Sequence, residues 1–129
     1  RAKKASLLSA VVVRFSRTDH PVETLAVRVD AAGRSLLYSA DTGPAWYPGD
    51  TGADVDLMVC EASLPTANEG QVQHLSARQA GKLARTLGAG RLVVTHVVPG
   101  VDAEAQLGMA GQAFGGSVEL ATANRSYEV

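Results

Sequence analysis

The sequence predicts an α/β fold, a mixed sheet with flanking helices, and three observations carry that expectation. Short runs rich in Val, Leu and Met recur between turn signals, at 11–15, 36–39, 55–60 and 92–95, as strands buried in a sheet would. Residues 25–39 read as a β-hairpin, so part of the sheet is antiparallel. One well-marked helix separates two of the runs. Ser76 is its N-cap with Gln79 as capping-box partner, Ala80, Leu83, Ala84 and Leu87 form its apolar stripe, and Gly88 ends it.

Composition sets the limits. A chain of 129 residues with 46% hydrophobic side chains can bury one real core, which excludes a disordered chain. Aromatic residues are only 5%, so that core rests on Val, Leu and Ala. The formal net charge of -1 announces no broad basic surface for nucleic acid. Cys60 is the only cysteine, which excludes an internal disulfide and a cysteine-cluster metal site and agrees with a reducing, cytoplasmic compartment. No signal peptide or membrane span is visible, so no membrane partner is expected.

Taken in order, residues 1–10 stand apart. Basic residues lead into Leu7 and Leu8 in a short helical pattern, and the abrupt join to Val11 leaves this segment open to being discontinuous with the rest. Residues 11–129 read as the folded part. Val11–Phe15 is a strand, and Thr18–Pro21 a loop in which Pro21 pushes His20 toward an extended conformation. Leu25–Val29 and Leu36–Ser39 form the hairpin about a tight Ala31–Arg34 connection. Asp41-Thr42-Gly43-Pro44 is a sharp exit from that strand, with an Asx-turn as its plain structural reading. Asp50-Thr51-Gly52 repeats three of those letters inside a loop and reads as an ordinary turn. Val55–Cys60 is the next strand, with Cys60 a small buried hydrophobe. Glu61 follows it directly and would be costly if buried without a histidine or backbone donor. Leu64–Val72 is a loop long enough to bend over a site. Leu92–Thr95 runs into His96, after which Pro99-Gly100 breaks the chain. Asp102 caps a helix with Ala103, Leu107, Ala110 and Phe114 on one face, and Gly108 and Gly111 weaken it or let it pack closely. Two short closing strands, Val118–Ala121 and Arg125–Val129, turn about Asn124.

The chemistry-bearing residues are Asp41, Glu61 and His96 at strand exits and His74 just before the helix. Parallel neighbouring strands would bring their exits to one rim. Carboxylate and imidazole there suit a hard or borderline metal. Spacing alone is a weak metal signal, because no His-x-x-x-His or Cys-x-x-Cys pair accompanies them.

Four stretches, Ser39-Ala40-Asp41-Thr42-Gly43, Cys60-Glu61-Ala62-Ser63, His74 to Gly81 and Leu92 to Pro99, together resemble the metallo-β-lactamase fold. The resemblance is to its C-terminal half, in the branch of RNase Z-type tRNA-processing nucleases and related cyclic-nucleotide phosphodiesterases. Their order and spacing are more specific than any one of them, and with their strands and helices they cover 11–129. The wording His-Leu-Ser-Ala-Arg-Gln-Ala-Gly leans toward the bacterial phosphodiesterase-like hydrolases. The resemblance implies half of an αββα sandwich and a metal-dependent phosphodiesterase acting on a cyclic nucleotide or an RNA 3′ end. It implies two zinc ions in the intact protein, with manganese as an alternative. Asp41 would be the carboxylate bridging the two metals and His96 the terminal imidazole ligand of one. His74 would contact the scissile phosphate and protonate the leaving oxygen, and Glu61 would orient His74. The family's His-x-His-x-Asp-His motif is absent from this chain, Ala40 stands where glycine is usual, and His20 falls outside the expected ligands, read as structural or substrate-side. The chain alone is therefore expected to be inactive. The uncovered sheet face should be met by the other half of the sandwich or by a second copy in a homodimer. The competing expectation is a non-catalytic α/β oligomerisation or scaffold module.

Overall fold

The computed structural model describes residues 10–129, so most of the 1–10 segment lies outside the described residues. Six strands form one sheet in chain order: β1 (Val12–Arg17), β2 (Leu25–Ala31), β3 (Arg34–Tyr38), β4 (Leu57–Glu61), β5 (Arg91–Thr95) and β6 (Val118–Leu120). β1, β2 and β3 are antiparallel neighbours, whereas β3 through β6 run parallel. The predicted mixed α/β sheet is thus what forms. The hairpin turns on Ala32 and Gly33, both left-handed with φ 52° and 74°, the geometry that matches the twist of two antiparallel strands.

Parallel strands need crossovers, and two of these are helices. α1 (Ala77–Leu87) joins β4 to β5, and α2 (Ala103–Phe114) joins β5 to β6. The capping box at the start of α1 is present as read: Ser76 Oγ accepts from the Gln79 N–H at 3.1 Å, and Gln79 Oε1 accepts from the Ser76 N–H at 3.0 Å. Gly88 closes the helix in the left-handed conformation, and Asp102 caps α2. The expected close approach between helices falls on a different glycine. A Cβ at Gly81 of α1 would collide with the Ala110 carbonyl of α2, while Gly108 faces open space.

Both helices cover one face of the sheet. Leu37, Met58 and Leu92 lie side by side across β3, β4 and β5 and are buried with Cys60 and Val94 against Ala77, Ala80, Ala84, Leu87 and Ala110. The opposite face carries the row Phe15, Val27, Tyr38, Val59 and Val93. Phe15 is 61% exposed and Tyr38 44%, with Val13 and Leu25 beside them also exposed. One face is therefore a core, and the other an apolar surface that goes from buried at Val93, 1% exposed, to exposed toward β1, as half of a two-sheet sandwich would have.

Two expectations need correction. The last predicted strand, Arg125–Val129, does not form. The Tyr127 hydroxyl accepts from the Thr122 N–H and donates to the Leu120 carbonyl, and Arg91 Nη1 donates to the Glu128 carbonyl. Side chains from the tail and from β5 take the backbone groups that a ladder would have used. Glu61 is the last residue of β4 rather than the first beyond it, which draws its carboxylate inside. No helix among the described residues is long and apolar enough to cross a membrane.

Candidate active site

Because β3, β4 and β5 are parallel, their carboxyl ends share one rim, and that rim carries the site. Beyond β3 the chain is turned sharply. The Ser39 N–H donates to the Val59 carbonyl at 2.9 Å, Ser39 Oγ accepts from the Glu61 N–H at 2.9 Å, and Ala40 adopts φ 52°. Alanine tolerates this left-handed conformation poorly, so the turn before Asp41 is strained where a glycine would be relaxed. Beyond β5, His96 is likewise left-handed at φ 59°, which swings its ring off the strand line toward Asp41.

Glu61 is the hub. Its carboxylate is 1% exposed, and it accepts five hydrogen bonds, from the Thr42 N–H, the Ser63 N–H and hydroxyl, the Leu75 N–H and His74 Nδ1. The partner that the sequence demanded for a buried Glu61 is therefore present several times over. The His74 contact is the shortest of these at 2.7 Å. Since an ionised carboxylate only accepts, the His74 ring donates from Nδ1 here.

Asp41 Oδ1 lies 3.4 Å from His96 Nδ1. Asp41, Glu61, His74 and His96 each offer a ligand atom, and those atoms lie within 4.8 Å of one another. The structure thus brings together all four predicted site residues. Asp41 and His96 are half-exposed at the cleft, whereas Glu61 is enclosed with every acceptor direction in use. That division suits Asp41 and His96 to bind an ion and Glu61 to hold His74.

Loops from the β1–β2 connection fasten the rim. Thr18 Oγ1 donates to the Asp41 carbonyl at 2.7 Å, the Gly43 N–H to the Asp19 carbonyl at 2.7 Å, and Gln73 Nε2 to Asp19 Oδ1 at 2.8 Å. The same loop sets the His20 ring edge-on to His74, with centroids 5.4 Å apart. His20 Nδ1 lies 3.2 Å from the Val22 carbonyl and 3.2 Å from Thr24 Oγ1, whose own proton goes to that carbonyl. His20 Nδ1 therefore donates to one of those two oxygens. Sequence reasoning set His20 apart from the ligands, and it assigned nothing to Ser63, Asp19 or Thr18. For Ser63 a signal existed: two residues beyond Glu61 in an extended segment, it points to the same side.

A family model for the beta-lactamase superfamily domain matches residues 3–97. The chain belongs to that family. Within the beta-lactamase superfamily it is similar to a Mycobacterium tuberculosis protein, Uncharacterized protein Rv1339, at 33% identity over 95% of this chain and 45% of the relative. It is 42% identical to Escherichia coli Ribonuclease BN over 54% of this chain and 24% of that protein. Among solved structures, the metallo-beta-lactamase fold protein YhfI from Bacillus subtilis superposes with TM-score 0.78 at 25% identity, covering 86% of this chain and 46% of YhfI. The short form of human tRNase Z superposes with TM-score 0.65 at 25% identity, covering 86% of this chain and 40% of that one. The chain spans less than half the length of these relatives.

Proposed function

We propose that this chain supplies one side of the active centre of a metal-dependent phosphodiesterase whose substrate is RNA. The observation that carries the reading is the buried Glu61 holding His74 at 2.7 Å beside the open Asp41–His96 pair. A scaffold module has no use for a carboxylate sunk at a sheet edge, where it must be desolvated and fully hydrogen-bonded merely to break even. Likeness to Ribonuclease BN and to tRNase Z supports RNA over a cyclic nucleotide.

The donor set fits zinc. Asp41 offers carboxylate oxygens and His96 offers imidazole nitrogens, the mixed oxygen and nitrogen ligands that zinc accepts and that manganese tolerates. A divalent ion bound there would act as a Lewis acid on a phosphoryl group. The chain's own residues do the rest. Asp41 projects from a strained turn that Thr18 and Ser39 hold rigid, and Glu61 fixes the His74 ring through its Nδ1. When protonated, His74 can pass a proton to a leaving oxygen. The ligands this chain does not contain, and the cover for its apolar sheet face, come from the other half of the sandwich.

Metal removal with a chelator tests this on the full-length protein, with both halves of the sandwich present. Hydrolysis of a chromogenic phosphodiester should vanish and return with zinc. A tRNA precursor carrying a 3′ trailer should be cleaved faster than a 3′,5′-cyclic nucleotide. Turnover that survives complete metal removal would reject the reading.

A further inference from the structure

Ser63 occupies a position that neither its sequence context nor the chemistry above has used. Its side chain is buried, 3% exposed, so it cannot meet a substrate. Its hydroxyl nevertheless touches both arms of the site: Oγ lies 2.9 Å from Glu61 Oε2 and 2.7 Å from His96 Nδ1, with His74 Nδ1 farther at 3.5 Å. Proton bookkeeping decides the directions. Glu61 can only accept, so the single hydroxyl proton of Ser63 goes to it. Oγ then has only lone pairs for His96, and the 2.7 Å contact requires the proton on His96 Nδ1.

We propose that Ser63 is a positioning residue that links Glu61 to His96 and, in the neutral ring, holds His96 in its Nδ1–H tautomer. One buried carboxylate thereby orders two imidazoles, His74 directly and His96 through the serine. Asp41 Oδ1, at 3.4 Å from the same nitrogen, is the weaker partner. The tautomer follows from the hydrogen bonds alone. Its value for metal binding rests on the function proposed above, because a ligating imidazole needs its bare nitrogen fixed from the far side.

The test reads the tautomer first. Nitrogen-15 spectra of histidine-labelled, metal-free protein at about pH 8.5, where an ordinary imidazole is neutral, should show His96 protonated on Nδ1, its signals assigned by their loss in His96→Gln. Ser63→Ala should shift His96 toward the Nε2–H form, and Ser63→Thr, which keeps the hydroxyl, should restore the wild-type pattern. An Nε2–H form in the wild type, or no change in Ser63→Ala, overturns the proposal. The second readout is zinc affinity, by competition with a chelating dye. Ser63→Ala should weaken it roughly 10- to 100-fold, lowering kcat with KM nearly unchanged, and Ser63→Thr should recover both. A tautomer shift with unaltered zinc affinity overturns the link to metal. Full-length wild-type protein that neither takes up zinc nor hydrolyses phosphodiesters would instead defeat the proposed function, leaving the tautomer result intact. If Ser63→Ala does not fold, Ser63→Cys, with a weak thiol donor, applies the same criteria.

Discussion

A buried carboxylate is expensive unless every lone pair is used, and Glu61 uses them on donors that come from three separate segments. Thr42 belongs to the Asp41 turn, Ser63 to the exit of β4, and Leu75 to the approach to α1. Glu61 therefore ties the parts of the rim together as well as orienting His74. These residues were legible to different degrees. Asp41, Glu61 and His96 show in sequence because a polar side chain ends an apolar run. Ser63 did not, since a serine hydroxyl takes its meaning from tertiary partners 33 residues away. Cys60, next to Glu61, is a contrasting case. Burial pushes its thiol up to about 12, opposed weakly by the Ser39 hydroxyl. Thiolate is therefore negligible at pH 8, and Cys60 should resist iodoacetamide in the folded protein. Stoichiometric alkylation of native protein, followed by mass spectrometry, would contradict this.

At the scale of elements, α1 and the loop before it act as one unit. Glu69 accepts from Ser76 Oγ at 2.6 Å and from Arg78 Nε at 2.9 Å, with a second, closer contact to Arg78 Nη2. This pins the 64–75 loop, and with it His74, onto the start of the helix. The Arg78 hydrogen bond, helped by Ser76, holds the Glu69 carboxyl below its ordinary value of 4.5 against the opposing effect of burial. A lowered folded-state value means that the pair stabilises the protein fully above about pH 4.5 and that this contribution is lost as pH falls through the folded value. Glu69→Gln should thus lower the melting temperature at pH 7 and converge on wild type in acid. A deficit independent of pH would contradict the ion-pair account. Gly81 is the second element-scale test. The Ala110 carbonyl occupies the space a methyl group would need, so Gly81→Ala should cost roughly 1–3 kcal/mol by urea unfolding despite alanine's better helix propensity. A gain in stability would show that the helices can part without penalty. Helix boundaries were legible because caps and glycine stops are local signals. The tail after β6 was misread because the Tyr127 side chain competes for the same backbone groups.

At the scale of the whole molecule, the sheet has one face packed under helices and a second face whose apolar residues become exposed toward β1. Phe15, Tyr38, Val13 and Leu25 lie exposed on it. A stable cover there should bury more than about 1,000 Å². Charge-introducing changes such as Phe15→Lys and Val13→Glu should release a hydrophobic-dye signal or lower solubility in the otherwise intact protein. Silence in both assays would mean that the face is not an interface. The half-sandwich was legible because apolar residues fill both faces of the central strands, whereas what covers the outer face is not written in these residues. The central claim, that Asp41 belongs to a metal site and His74 to the proton-transfer chemistry beside it, is tested most directly by measuring metal content and phosphodiester turnover together in wild type, Asp41→Ala and His74→Ala. The account predicts that Asp41→Ala loses metal and activity together. It predicts that His74→Ala keeps its metal and loses turnover by roughly 10² or more. Retained turnover in Asp41→Ala, or equal metal loss in both variants, would contradict it.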